Sequence, residues 1–175
     1  MLSFFKQIAI QRKLDKQNGI SYKTPAPMDD SAFVKKFENA TWPMDSWHHR
    51  EHIKIAYLYL LAEGFENALV KLRSGILALN MFHKVPEGPT RGYHETMTRA
   101  WLQLVNTILC EYGPAESADS FFEQHPELAE KKALRLFYSA NRLKDPRGKH
   151  EFLEPDLAPL PTSKKALEPL GMEMV

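Results

Sequence analysis

Apolar residues along this chain recur at intervals of three and four positions, the spacing that places them on one face of an α-helix. No stretch sustains the alternation of apolar and polar residues that is typical of a strand. The pattern predicts helices at residues 31–40, 46–63, 65–82, 92–112, 116–124 and 127–141. We therefore expect an all-α fold, organised as a single-domain helical bundle.

Residues with strong preferences for helix ends mark the predicted boundaries. Asp30, Asp45 and Gly92 stand where N-caps are expected. Gly64 and Gly113 stand where the preceding helices should end.

The segments outside the helices divide the chain into three parts. Residues 1–28 read as a basic amphipathic extension followed by a turn-rich linker, and residues 29–161 as the all-α domain. The prolines from Pro155 onward predict an extended C-terminal strap, and residues 162–175 a loosely ordered tail.

Composition and charge narrow the class of protein. The 175 residues are 43% hydrophobic and 26% charged, which is ordinary for one globular domain. A net charge of +1 argues against a nucleic-acid partner, and no apolar run is long enough to span a bilayer. The single cysteine, Cys110, favours a reducing compartment, so we expect a cytoplasmic protein; the basic N-terminal segment leaves a targeting peptide as the alternative.

Three histidines open the second predicted helix, in the segment WHHREH. On a helical projection His48 and His49 lie within about 60° of His52, on the apolar side of the helix. Arg50 and Lys54 lie on the opposite side.

A further histidine opens the fourth predicted helix, in the segment GYHETMTRAW. His94 is central on the apolar arc of that helix, together with Trp101 and Val105. Because both helices carry imidazoles at the start of a core-facing stripe, we expect His49, His52 and His94 to meet in one buried polar pocket.

These imidazoles are candidate metal ligands. The positive end of a helix dipole favours neutral imidazole, and a spacing of three residues lets His49 and His52 share one ion. His94 is the candidate third ligand and His83 a fourth, for a divalent transition metal such as Zn, Fe or Mn. Glu95 is the candidate catalytic residue, because a carboxylate beside such a site can move a proton.

Four further residues are candidates for contacting a substrate: Tyr93, Arg91, Thr98 and Tyr59.

Each of these residues also has a purely structural interpretation. The histidines can be core residues hydrogen-bonded to carbonyls or tyrosines, and for His48 this interpretation is favoured. Glu95 can serve the helix dipole or an N-terminal cap, and Arg91 can be a solvated side chain. Trp47 and Trp101 are expected in the core.

Several common enzyme signatures are absent from the chain. It has no Glu-x-x-His pair, no zincin helix, no His-Asp dipeptide, no Gly-x-Ser-x-Gly and no phosphate-binding or dinucleotide fingerprint. Di-iron carboxylate, metalloprotease, serine-hydrolase and nucleotide-binding chemistry are therefore disfavoured.

Two motifs, W-x-H-x-x-H and Y-H-E-T, resemble those of a widespread family of small, mostly bacterial proteins of uncharacterised function. The resemblance covers residues 30–161 and selects His49 and His52 rather than His48. In the second motif it selects Tyr93, His94, Glu95 and Thr96. It implies no activity.

The leading hypothesis is a histidine-lined pocket that binds a small molecule, with or without a metal ion, and the sequence leaves open whether a reaction follows. The alternative is a non-catalytic helical interaction module with structural histidines.

Overall fold

The computed structural model describes residues 29–89 and 91–164, and within them the chain forms helices and turns without a strand or sheet. This confirms the predicted all-α class. The proposed N-terminal extension, and the tail beyond residue 164, lie outside the described residues.

Five α-helices make up the described part of the chain: α1 (Asp30–Glu38), α2 (His49–Phe82), α3 (Glu95–Tyr112), α4 (Ala118–Gln124) and α5 (Ala140–Lys144). Short 3₁₀ turns lie between them at Met44–Ser46, Pro126–Ala129, Ala133–Leu136 and Pro146–Lys149. Within these residues, no helix is both long enough and apolar enough to cross a membrane.

Helix α2 is kinked at Gly64, where the backbone leaves helical geometry with φ 72° and ψ 177°. A positive φ of this kind strains residues with a side chain, which explains glycine at this position. The kink separates a first arm, residues 49–63, from a second arm, residues 65–82. Gly64 therefore ends one helical run as predicted, and the next begins directly after it.

The core forms around α2, which packs against α1, α3 and α4. Helix α1 inserts Phe37, whose ring stacks on Trp47 at a centroid distance of 5.0 Å. Phe37 also lies against Gly75 in the second arm, where an added Cβ would come within 2.3 Å of the ring. Gly75 thus permits the close approach of α1 and α2.

The predicted N-cap at the first helix is displaced by one residue. Asp29 caps α1 by accepting a hydrogen bond from the Ala32 amide at 3.2 Å. Asp30 is the first helical residue, and its carboxylate accepts from the Ala118 amide at 3.0 Å. Asp30, which the sequence pattern predicted as an N-cap, therefore makes a tertiary contact between α1 and α4.

The two other predicted N-caps were wrong. Asp45 lies in the 3₁₀ turn Met44–Ser46, and α2 begins later, where Glu51 accepts from the His48 amide at 2.9 Å. Gly92 lies in the preceding turn, and His94 caps α3 instead. In each helix another side chain accepts a hydrogen bond from a free backbone amide at the N-terminus: Glu51 accepts from the His48 amide in α2, and His94 accepts from the Met97 amide in α3.

The predicted helix 127–141 was also wrong. This region forms the two 3₁₀ turns Pro126–Ala129 and Ala133–Leu136, and the short helix α5. The Phe137 carbonyl accepts from the Leu157 amide at 3.0 Å, so the C-terminal segment takes the acceptor that a continuous helix would need.

Residues 151–164 form the predicted extended strap. The Thr96 hydroxyl donates to the Glu151 carbonyl at 2.9 Å and accepts from the Leu153 amide at 3.0 Å. Further along α3, Gln103 and Thr107 donate to the Pro161 carbonyl. The strap therefore runs along α3 in the direction of that helix.

Candidate functional site

The first turns of α2 and α3 meet around a chamber of about 230 Å³, which we call the inner chamber. Its polar lining consists of His49, His52, His94 and Thr98. Its apolar lining consists of Ala56, Leu72, Ile76, Met97, Trp101 and Leu102. The structure thus brings three of the sequence-predicted histidines and Thr98 to one chamber.

His52 is the one histidine of this set whose ring has no hydrogen bond to any described residue. Its ring packs edge-on against Trp47 at a centroid distance of 4.8 Å. Both ring nitrogens keep some solvent access, and the residue lines the inner chamber. Burial lowers the pKa of His52 to about 4, assisted by His49 and Lys131, so the ring is neutral at pH 7. A neutral ring offers a bound molecule one donor and one acceptor.

One ring nitrogen of His49 is hydrogen-bonded within the fold. Its Nε2 donates to the Leu128 carbonyl at 2.8 Å, and its ring packs edge-on against Trp101 at 4.5 Å. Burial lowers the pKa of His49, so the ring is neutral and Nδ1 carries the lone pair.

Both ring nitrogens of His94 are used by the fold. Nδ1 accepts from the Met97 amide at 3.3 Å, which makes His94 the N-cap of α3. Nε2 lies 3.2 Å from the Leu143 carbonyl and donates to it. Burial lowers the pKa of His94, which matches the neutral ring that this pair of contacts requires.

The predicted fourth ligand, His83, is not at the site. It follows the last turn of α2, where its Nε2 donates to the Trp42 carbonyl at 2.8 Å. It lines neither chamber described here. His48, for which the structural interpretation was favoured, is exposed and supplies the backbone amide that Glu51 accepts.

Glu95 lies in a separate ion pair. Arg73 from the second arm of α2 donates to both carboxylate oxygens, at 2.9 and 2.5 Å, and the Tyr93 hydroxyl donates at 2.6 Å. The Arg73 contact lowers the pKa of Glu95, and burial, together with the nearby Glu95 carboxylate, raises the pKa of Tyr93. Glu95 and Tyr93 line neither chamber, and they join α2 to the start of α3.

Two candidate substrate contacts have different surroundings. Tyr59 is buried against Phe37, its hydroxyl donates to Glu38 at 3.4 Å, and it lines neither chamber. Arg91 is exposed and lines a second cavity that adjoins the inner chamber.

This second cavity, the outer chamber, has a volume of about 440 Å³ and shares Gly92, His94, Met97 and Trp101 with the inner chamber. Six of its lining residues are cationic: Arg91, Lys131, Lys132, Arg135, Lys144 and Lys149. Among the described residues that line either chamber, none is Asp or Glu. Trp101, expected in the core, is half-buried, packs against the core and lines both chambers.

The cationic lining was missed at the level of sequence, although a signal for it exists. Between residues 131 and 149, basic residues outnumber acidic ones by seven to one. The net charge of +1 concealed this local excess, and a continuous helix was predicted at 127–141, where the structure has two 3₁₀ turns and α5.

The described residues leave the predicted metal site without a third free imidazole nitrogen. No group of three or more His, Cys, Asp or Glu side chains within residues 29–89 and 91–164 is placed to hold an ion. His49 keeps one lone pair and His52 is unbound, but the lone pair of His94 already accepts the Met97 amide.

Comparisons of the chain with protein-family models, with curated proteins and with solved structures found no match. The site is therefore interpreted from its own residues.

Proposed function

We propose that this protein binds a small organic molecule in the inner chamber and recognises it by a hydrogen bond to His52. The observation that carries the proposal is the unsatisfied imidazole of His52 at the wall of a chamber. A polar group at a pocket wall that no other protein group occupies is available to a bound molecule. A concave, mostly apolar pocket with a few polar groups is the usual form of a ligand site.

Recognition is better supported than catalysis. A histidine with a pKa of about 4 is a weak base at neutral pH, whereas an efficient general base titrates near the working pH. Glu95, the predicted catalytic residue, is held by Arg73 and Tyr93 and does not line the chamber. His52 and Thr98 remain as polar groups that can orient a bound hydroxyl, amide or carbonyl.

The proposal places the protein and its ligand in the cytoplasm, since the single cysteine fits a reducing compartment. Fractionation of cells that express the tagged full-length chain checks this. Recovery of a shortened form within an organelle would contradict it.

A metal ion remains a separate prediction, to be checked by elemental analysis of the purified protein. Stoichiometric Zn, Fe or Mn in the wild type that is lost in His52→Ala would establish metal binding. The role of His52 would then be metal ligation rather than a hydrogen bond to an organic ligand. A metal content below one-tenth of the protein concentration would leave the imidazole free for an organic ligand.

The main test is a fragment library screened by ligand-detected NMR against the wild-type protein, His52→Leu and His83→Leu. Leucine keeps much of the volume of His52 but removes both nitrogens. We expect fragments that bind the wild-type protein and His83→Leu but not His52→Leu.

Relative to the wild type, the two variants should change the free energy of unfolding in opposite directions. His52→Leu removes an unsatisfied polar group, so its free energy of unfolding at pH 7 should equal or exceed that of the wild type. His83→Leu should lose about 1 kcal/mol with its hydrogen bond to Trp42. Identical fragment binding in all three proteins, or no binding at all, would contradict the proposal and favour the interaction-module alternative.

A further inference from the structure

The linings of the two chambers together indicate the chemical class of the ligand, an inference that rests on the proposed function. We infer that the ligand is a small amphipathic organic anion, whose carboxylate or phosphate lies in the outer chamber and whose apolar body extends into the inner chamber toward His52.

The outer chamber concentrates positive charge that the described part of the chain neutralises only in part. Lys149 contacts Glu87 at 2.9 Å and also donates to the carbonyls of Gly88 and Arg91. The cations Lys131, Lys132 and Arg135 have no carboxylate within ion-pair distance among the described residues.

Such a grouping is unfavourable for folding, because like charges repel and no acid of the lining compensates them. Its consequence for binding is favourable, since a concave surface with one sign of charge attracts and orients an opposite charge. Arginine and lysine are the side chains that bind carboxylate and phosphate groups.

The lining of the inner chamber indicates the chemistry of the remaining part of the ligand. Its walls are supplied mainly by aliphatic and aromatic side chains, including Leu72, Ile76 and Leu102. At about 230 Å³ it admits a small apolar body and excludes a folded domain or a duplex. Met97 and Trp101 line both chambers, so the two adjoin, and we place one molecule across both.

The surroundings of His52 fit this arrangement. Lys131 contributes to the lowered pKa of His52, which means that the positive charge of the outer chamber reaches the imidazole. By thermodynamic reciprocity, an anion that offsets this charge must raise the pKa of His52. This gives the inference a readout that is independent of affinity.

The test uses calorimetric titration of the full chain with ω-phenyl carboxylates, from phenylacetate to 4-phenylbutyrate, and with the matching neutral amides. The variant Lys131→Gln/Lys132→Gln removes two charges from the outer chamber. The variant Lys35→Gln/Lys36→Gln removes two charges from an exposed pair of adjacent lysines on α1, outside both chambers, and is the matched control.

We expect the wild type and the control to bind at least one acid more tightly than its amide. Lys131→Gln/Lys132→Gln should weaken binding of that acid by about tenfold, the loss typical of charge-assisted hydrogen bonds. It should leave binding of the amide unchanged, and His52→Leu should weaken both. The acid should also raise the NMR-detected pKa of His52, whereas the amide should not.

The outcomes separate the inference from the proposed function. Equal binding of acids and amides, with both lost in His52→Leu, would overturn the inference and retain the proposed function. Binding of the acid that is insensitive to His52→Leu would overturn both. Inorganic phosphate binding as tightly as the phenyl acid, or competition by a DNA oligonucleotide, would overturn the inference in favour of non-specific or nucleic-acid attraction.

No saturable binding of any acid would also overturn the inference. Phenethyl phosphate, compared with 3-phenylpropionate, distinguishes a phosphate from a carboxylate as the preferred anionic group.

Discussion

The histidines of this protein differ most in what their ring nitrogens contact. His83 donates to a backbone carbonyl, His94 both donates and accepts, and His49 uses one nitrogen. The His52 ring has no hydrogen bond to a described residue; it packs against the Trp47 ring and lines the inner chamber. Since an imidazole without hydrogen-bond partners contributes little to folding, the proposed ligand contact of His52 can be tested separately from the stability of the fold.

Acidification should destabilise the protein through His52. The pKa of this group falls from 6.5 in the unfolded chain to about 4 in the fold, so the unfolded state binds more protons between these values. Stability should therefore be complete above pH 6.5 and decline as the pH falls toward 4. From pH 7 to 4.5 we expect wild type to lose roughly 2 kcal/mol relative to His52→Leu.

Urea unfolding of both proteins at the two pH values measures this difference. The comparison with His52→Leu removes the contributions of His49 and His94, whose pKa values are also lowered and which both proteins retain. Parallel loss of stability in the two proteins would show that His52 is not the depressed group.

At the scale of elements, helix α3 is held to α2 by the Arg73–Glu95–Tyr93 cluster. Glu95 is buried with 6% of its surface exposed, whereas the Arg73 side chain is 41% exposed, so solvent weakens the pair. Glu95→Gln keeps the shape but removes the charge. We expect a loss of about 1 to 2 kcal/mol in unfolding free energy, with ligand binding unchanged.

A double-mutant cycle with Arg73→Met isolates the pairwise contribution of the Arg73–Glu95 contact. Reduced fragment binding in Glu95→Gln, at unchanged fold, would instead support the predicted catalytic or binding role of Glu95.

The two glycines of α2 have different reasons to be glycine, and alanine substitutions should separate them. At Gly64 the backbone has a positive φ and nothing lies within 4 Å of an added Cβ, so Gly64→Ala should cost about 1 to 3 kcal/mol through backbone strain alone. At Gly75 the added Cβ meets Phe37, so Gly75→Ala should cost about 1 to 3 kcal/mol through overpacking.

Phe37→Leu should partly rescue Gly75→Ala and leave Gly64→Ala unchanged, as measured by chemical denaturation. Rescue of both, or of neither, would show that the two alanine variants are not strained in these different ways.

Across the whole molecule, short-range pattern predicted helices α1 to α4, but not the turns at 126–136, and it predicted that His49, His52 and His94 face one chamber. The pattern did not predict which imidazoles would be hydrogen-bonded within the fold, because the Leu128 and Leu143 carbonyls that accept from them lie in distant segments of the chain. The outer chamber was missed for the same reason, since its walls come from several segments that only the tertiary fold brings together. Periodicity reports which face is buried and carries no information about such partners.

The strap is the last part of the fold that depends on long-range contacts, and Thr96 is its anchor. Thr96 is fully buried and bonds both the Glu151 carbonyl and the Leu153 amide. Thr96→Val keeps the shape but leaves both backbone groups without this partner, so we expect a loss of about 1 to 3 kcal/mol. Thr107→Val removes the hydroxyl that contacts Gln103 and the Pro161 carbonyl, but Gln103 still donates to that carbonyl, so the variant should cost about 1 kcal/mol or less.

Hydrogen exchange provides the measurement, because loosening of the strap should appear first at the Leu153 amide, whose acceptor is the Thr96 hydroxyl. Protection of this amide should fall in Thr96→Val and persist in Thr107→Val. Thr96 also lies beside Gly148, close to His94, so the strap and the wall of the chambers share one anchor. Unchanged protection at Leu153 in Thr96→Val would mean that the strap is held by its apolar contacts rather than by this hydroxyl.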